Sequence, residues 1–160
     1  EAEIVAYTLD GNIFIYGYDT RELKYKTPEG TYQGINCMII ANLDNSPELE
    51  LLFITKAGKM VQFDPVTKFE EWVSTETYQA TDMAYGNVDN DRNFELILNS
   101  GEIINYQFKS VKWKMDAAHI SPNSRLYLID IDKDGILELA VEYDRQYIRF
   151  FDLDQRREKW

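Results

Sequence analysis

The chain has 160 residues and a mass of 18.8 kDa, with 44% hydrophobic and 14% aromatic residues and a formal charge of −11. That supply of apolar side chains can fill one β core, and the negative charge excludes a nucleic-acid partner or an anionic membrane surface, whose phosphates it would repel. No run approaches the ~18 apolar residues of a membrane-spanning helix, and no stretch reads as a signal peptide, so membrane insertion is not expected.

Taken in chain order, the predicted elements repeat. The first unit has a strand from Glu3, a turn at Asp10-Gly11, a strand from Ile13 to Tyr18 and an aromatic tip at Tyr25. The second opens with Ile35 to Ile40 and passes an acidic loop to Glu50. It then turns at Ala57-Gly58, runs from Met60 to Phe63 and ends at Trp72. The third has its loop before Glu95, a turn at Ser100-Gly101, a strand from Ile103 to Phe108 and the aromatic Trp113. The fourth runs from Leu126 to Ile129, through a loop to Glu138 and a turn at Asp144-Arg145, then from Tyr147 to Phe151 and on to Trp160. Short β-branched and aromatic runs joined by Gly or Asp turns read as hairpins. The stretch from Val66 to Tyr85 has no sustained 3.6-residue period, which argues against helix.

Units of this size, with an apolar strand, an acidic loop, a second strand, a hairpin and a short fourth strand, predict an all-β fold of four-stranded propeller-type blades. The units fall at about 1–30, 31–76, 77–120 and 121–160, and the first lacks its loop and preceding strand. Ile35 to Ile40 and Leu126 to Ile129 are apolar on both faces, as expected of a strand pressed between neighbouring blades. The chain is therefore expected to be part of a longer propeller or to close by self-assembly.

The loops carry the most specific chemistry. Their oxygen-bearing side chains are Asn42, Asp44, Ser46 and Glu50; Asn87, Asp89, Asp91 and Glu95; and Asp130, Asp132, Asp134 and Glu138. The third also has Gly135 at position 6 and the carbonyl of Ile136 at position 7, an oxygen set suited to Ca2+. An EF-hand is excluded, because its twelfth position needs a bidentate Glu and here holds Val141. A bare Asx-rich turn is the competing reading. Four acids within nine residues repel one another without a cation, so calcium is expected at the third loop as a structural brace.

Asp130-Ile-Asp-Lys-Asp-Gly-Ile-Leu-Glu-Leu-Ala resembles the loop and following strand of FG-GAP/VCBS-type repeats, found in integrin α-subunit propellers and many secreted bacterial proteins. The segments from Val61 to Trp72 and from Arg149 to Trp160 look like the outer strands of quinoprotein-type propeller repeats. Only the third loop matches the FG-GAP/VCBS motif in full. The second has Asn87 first and Arg92 in place of glycine, and the first has Ser46 and Pro47. The resemblance implies a calcium-braced propeller in an extracytoplasmic or secreted setting. The absence of N-x-Ser/Thr acceptors weighs against a glycosylated animal ectodomain and leaves an intracellular setting open.

No residue set argues for catalysis. Cys37 lies among apolar neighbours and is expected to be a core thiol. His119 has neither metal partners nor a serine elbow at suitable spacing. Two functions remain. One is a non-catalytic interaction module binding a protein or a glycan; the other is an accessory portion of a larger carbohydrate-active or quinoprotein-like enzyme. Binding residues are expected on the segments joining units, with Tyr32, Tyr78 and His119 as candidates and simple packing between blades as the competing reading for each.

Overall fold

A computed structural model describes residues 2–44, 46–143 and 145–159. The predicted aromatic tip at Trp160 and the Asp144 half of the last turn lie outside them. Among the described residues the strands are β1 (Glu3–Tyr7), β2 (Ile13–Gly17), β3 (Leu23–Lys26), β4 (Ile35–Ala41), β5 (Glu50–Thr55), β6 (Met60–Asp64), β7 (Phe69–Val73) and β8 (Met83–Gly86). They continue with β9 (Glu95–Leu98), β10 (Glu102–Asn105), β11 (Ser110–Lys114), β12 (Arg125–Ile129), β13 (Glu138–Tyr143), β14 (Tyr147–Asp152) and β15 (Arg157–Glu158).

The chain divides into two compact units, Glu1–Tyr78 and Gln79–Trp160. The first holds a three-stranded sheet, β1-β2-β3, and a four-stranded one, β4-β5-β6-β7. The second holds two four-stranded sheets, β8-β9-β10-β11 and β12-β13-β14-β15. Every pairing is antiparallel and between sequence neighbours. Hairpin connection forces that order, since each strand reaches its partner through a short turn.

Burial singles out a different strand from the one the sequence suggests. β5 and β9 are buried along their whole length, and so are the first four residues of β13. β12 alternates instead, with Tyr127 52% and Ile129 48% exposed. Apolar character on both faces of β12 therefore reflects strand propensity as much as burial. The strand after each acidic loop is the doubly covered one.

Within the first unit Ile13, Ile35, Leu51, Phe53, Val61 and Phe63 form one core across its two sheets. In the second, Ile97, Ile103, Leu126, Leu139, Val141 and Phe151 do the same. Each such side chain contributes roughly 1.5–3 kcal/mol of transfer free energy. Cys37 is buried in β4, as its apolar neighbours suggest.

The turn before the third strand of a full sheet needs a left-handed residue. Gly11, Gly58 and Gly101 supply it with φ of 99°, 83° and 104°, and Arg145 takes the same role with φ 55°. At Gly11 a Cβ would lie 1.7 Å from the Tyr32 carbonyl oxygen, so no other residue fits. The next hairpin carries a second repeat: Arg21, Lys68, Lys109 and Arg156 all have positive φ. Asp64, Asn105 and Asp152 each accept a backbone N–H across that turn, from Val66, Phe108 and Gln155. The basic side chains there find aromatic rings. Lys68 lies 5.2 Å from the Tyr25 ring centroid and Arg156 5.0 Å from that of Trp113.

Candidate functional site

Each acidic loop leads into the doubly buried strand, and its glutamate is that strand's first residue. Glu50, Glu95 and Glu138 are 2%, 0% and 3% exposed. Each carboxylate accepts the backbone N–H of the residue seven positions earlier: Leu43 at 2.6 Å, Val88 at a longer 3.5 Å and Ile131 at 3.0 Å. The glutamate thus ties the start of its loop to the sheet, which fixes the loop's path.

The remaining loop acids bond their own backbone. Asp44 accepts the N–H of Ser46, Asp89 that of Asp91, and Asp91 that of Asn93. In the third loop Asp130 accepts the N–H groups of Asp134 and Gly135, both at 3.1 Å, and Asp134 accepts that of Ile136 at 2.8 Å. Carboxylate oxygens of Asp89, Asp91 and Glu95 lie within 4.8 Å of one another, as do those of Asp130, Asp132 and Glu138. Asp134, expected as a ligand, is not among that gathered set.

Two lysines reach into these clusters. From β11, the Lys112 ammonium donates to Asp89, to Asp91 at 2.9 Å and to Glu95 at 3.3 Å. Beyond β15, Lys159 donates to Asp132 and Glu138, both at 2.6 Å. The three-stranded first sheet shows the same pairing, Lys24 to Glu3 at 3.2 Å. The first loop differs. The equivalent position holds Glu71, which accepts from Gln62 at 2.6 Å, and Glu50 takes a hydrogen bond from the Ser46 hydroxyl at 3.3 Å. A cleft of about 210 Å3 there is lined by Asp44, Glu50, Asp64 and Glu71.

The electrostatics follow. Burial pushes the Glu95 carboxyl up, and the neighbouring Asp89 adds to the rise against the pull of Lys112. Burial also raises Glu50, with Asp44 and Glu71 as like charges. The hydrogen bond from Lys112 holds Asp91 low, and that from Lys159 holds Asp132 low. Burial alone would lower Lys112, but its bonds to Asp89 and Asp91 outweigh that and hold it above the usual lysine range.

The three candidate binding residues meet different fates. Tyr32 is 6% exposed, edge-on to Phe53 at 4.7 Å, and its hydroxyl donates to Glu70 at 2.8 Å. Tyr78 is also 6% exposed. Both are packing residues, a correction to their expected place at a contact surface: their rings complete the core and leave little area for a partner. His119 is half-buried against Phe151, with ring centroids 5.3 Å apart. It borders a cleft of about 200 Å3 that also includes Trp113 and Arg156.

The lysines escaped the sequence reading although a signal was present. Lys24, Lys112 and Lys159 each stand immediately before an outer aromatic, namely Tyr25, Trp113 and Trp160.

No protein-family model matches the chain, and no curated protein does. Solved structures do. The crystal structure of BBS1N in complex with ARL6DN, soaked with lead, is similar over 99% of this chain and 50% of its own, with a TM-score of 0.63 and 15% identity. The Neurospora crassa Pan2 WD40 domain is similar over 94% and 46%, with a TM-score of 0.58 and 13% identity. The fold is therefore of the β-propeller type. The chain spans about half the length of these structures.

Proposed function

We propose that the chain is a non-catalytic interaction module of the propeller type whose partner is a protein. Its sheets are read as consecutive blades of a larger propeller, since the solved relatives are about twice as long. BBS1N was solved with ARL6DN bound, so a domain with this fold is known in a protein complex.

One observation carries the reading. On β12 and β14, Tyr127, Ile129 and Ile148 are 52%, 48% and 58% exposed. The register places all three on one sheet face, because Tyr127 pairs with Ala140, which pairs with Phe150, and Ile148 pairs with Glu142 opposite Arg125. This face, which also carries Arg125 and Glu142, suits contact with protein, in a further blade or another chain, better than with a polar glycan. The catalytic alternative needs a pair of working acids or a nucleophile with its base, whereas the acids of the second and third loops already bond backbone and lysine.

The repeat resemblance implies calcium at Asp130, Asp132, Asp134, the Ile136 carbonyl and Glu138. An ion there would hold the strand connection and would have to displace Lys159. Affinity capture followed by cross-linking tests the interaction reading. Tyr127→Glu with Ile148→Glu should keep the melting curve and lose the captured protein. Unchanged capture by the double variant, or turnover of a polysaccharide by the purified chain, would overturn it.

A further inference from the structure

The acidic loops are where a divalent cation is expected, yet in two of them the residues present already supply the positive charge. We propose that Lys112 and Lys159 are built-in cations, which makes the second and third loops independent of metal. This inference does not depend on the identity of the partner.

The accounting is complete for each carboxylate. In the third loop Asp130 and Asp134 are satisfied by backbone N–H groups, and Lys159 bridges Asp132 and Glu138. In the second, Asp89, Asp91 and Glu95 converge on one ammonium. The repulsion among clustered acids is thereby relieved without an ion. Calcium needs six to eight oxygens at 2.3–2.6 Å; in the second loop the ammonium occupies the point where the three carboxylates meet, and in the third it bridges two of the three.

Repetition within the chain supports a designed position over a chance rotamer. Lys24 pairs with Glu3 in the first sheet, again from the outer strand to the head of the strand two places away. The lysine is thus a property of the outer strand, tied to the first residue of the strand two places away in the sheet. Only the unit with Glu71 at this position departs from the rule. Lysine also costs less than calcium in one respect: its charge is covalently attached and is present at any metal concentration.

Calorimetric titration with CaCl2 and thermal melts in CaCl2 or EDTA test the proposal on the whole chain. Any calcium response of the wild type should survive Asp89→Ala and Asp132→Ala. Lys112→Met should melt roughly 5 °C lower in EDTA, because it strands a buried glutamate. It should recover in millimolar CaCl2, since a ligand that binds only the folded state stabilises it. Lys159→Met should gain calcium binding in the same way. Lys112→Arg keeps the cation and should remain calcium-independent, which preserves the test if the methionine variants fail to fold. Wild-type calcium binding that disappears with Asp89→Ala or Asp132→Ala would overturn the proposal. So would a Lys112→Met variant that melts like the wild type in EDTA.

Discussion

The loops ending at Glu50 and Glu95 are copies of one pattern, and they reach electrostatic balance by different means. Both glutamates are buried, and both accept an N–H from the residue seven positions earlier. Glu95 then meets an ammonium, whereas Glu50 meets a hydroxyl and faces Asp44 and Glu71 as like charges. The backbone tie is thus what the fold requires of this position, and the charge partner is a separate choice. A buried charge without a counter-ion is costly, so neutralisation should cost more at Glu95, which has an ammonium partner, than at Glu50.

The largest effect expected from this contrast is at Glu95. Glu95→Gln leaves Lys112 with Asp89 and Asp91 but removes one charged acceptor, and should cost about 1 kcal/mol. Glu50→Gln keeps an oxygen for the Leu43 N–H and removes a disfavoured charge, so it should fall within about 0.5 kcal/mol of the wild type or be stabilising. Urea denaturation of both variants decides the point. Equal losses would mean that the backbone tie alone matters and that the lysine adds nothing.

The contrast was only partly legible in the sequence. Period, hairpin turns and loop acids all register as residue types at fixed spacing, and they point to blade-like sheets that the solved propellers match. Spacing marks the lysines too, each one residue before an outer aromatic, but it does not give their partner. A lysine on an outer strand reads as a solvated charge, and only the sheet order brings Lys112 across β10 to the head of β9. The left-handed basic residues Arg21, Lys68, Lys109 and Arg156 were hidden for another reason: such a conformation usually announces itself as Gly or Asn. For Tyr32 and Tyr78 a position on a joining segment suits surface and packing alike, and burial decides for packing.

A second, smaller effect lies in pH. Burial raises the Glu50 carboxyl, so the folded state holds its proton more tightly than the unfolded chain, whose glutamates titrate near 4.3. Stability from this group therefore increases as pH falls through the raised value and is lost as pH rises through it. Asp91 and Asp132 are lowered and act in the opposite sense. Their contribution is present above about 3.9 and disappears as pH falls below it. Relative to Glu50→Gln, the wild type should gain stability as pH is reduced from 7 to about 4.5. A difference that stays flat across that range would mean that the fold does not disfavour the Glu50 charge.

The smallest effect is the most direct test of equivalence among the units. Glu71 stands where the other units place lysine, so Glu71→Lys should install the missing cation beside Glu50 and Asp44. It forfeits the hydrogen bond from Gln62 but replaces a like charge by an opposite one. At a site open on one side the gain should be modest, about 2 °C in Tm. The gain should shrink between 50 and 500 mM NaCl, because the pairing is within reach of solvent ions. Glu71→Gln separates two causes. If it raises Tm as much as Glu71→Lys, relief of repulsion suffices and the ammonium has no special place in this loop. A larger gain for lysine, lost again in Glu71→Lys with Glu50→Gln, means that the outer-strand lysine and the buried glutamate form one repeat-encoded pair that this unit alone has given up.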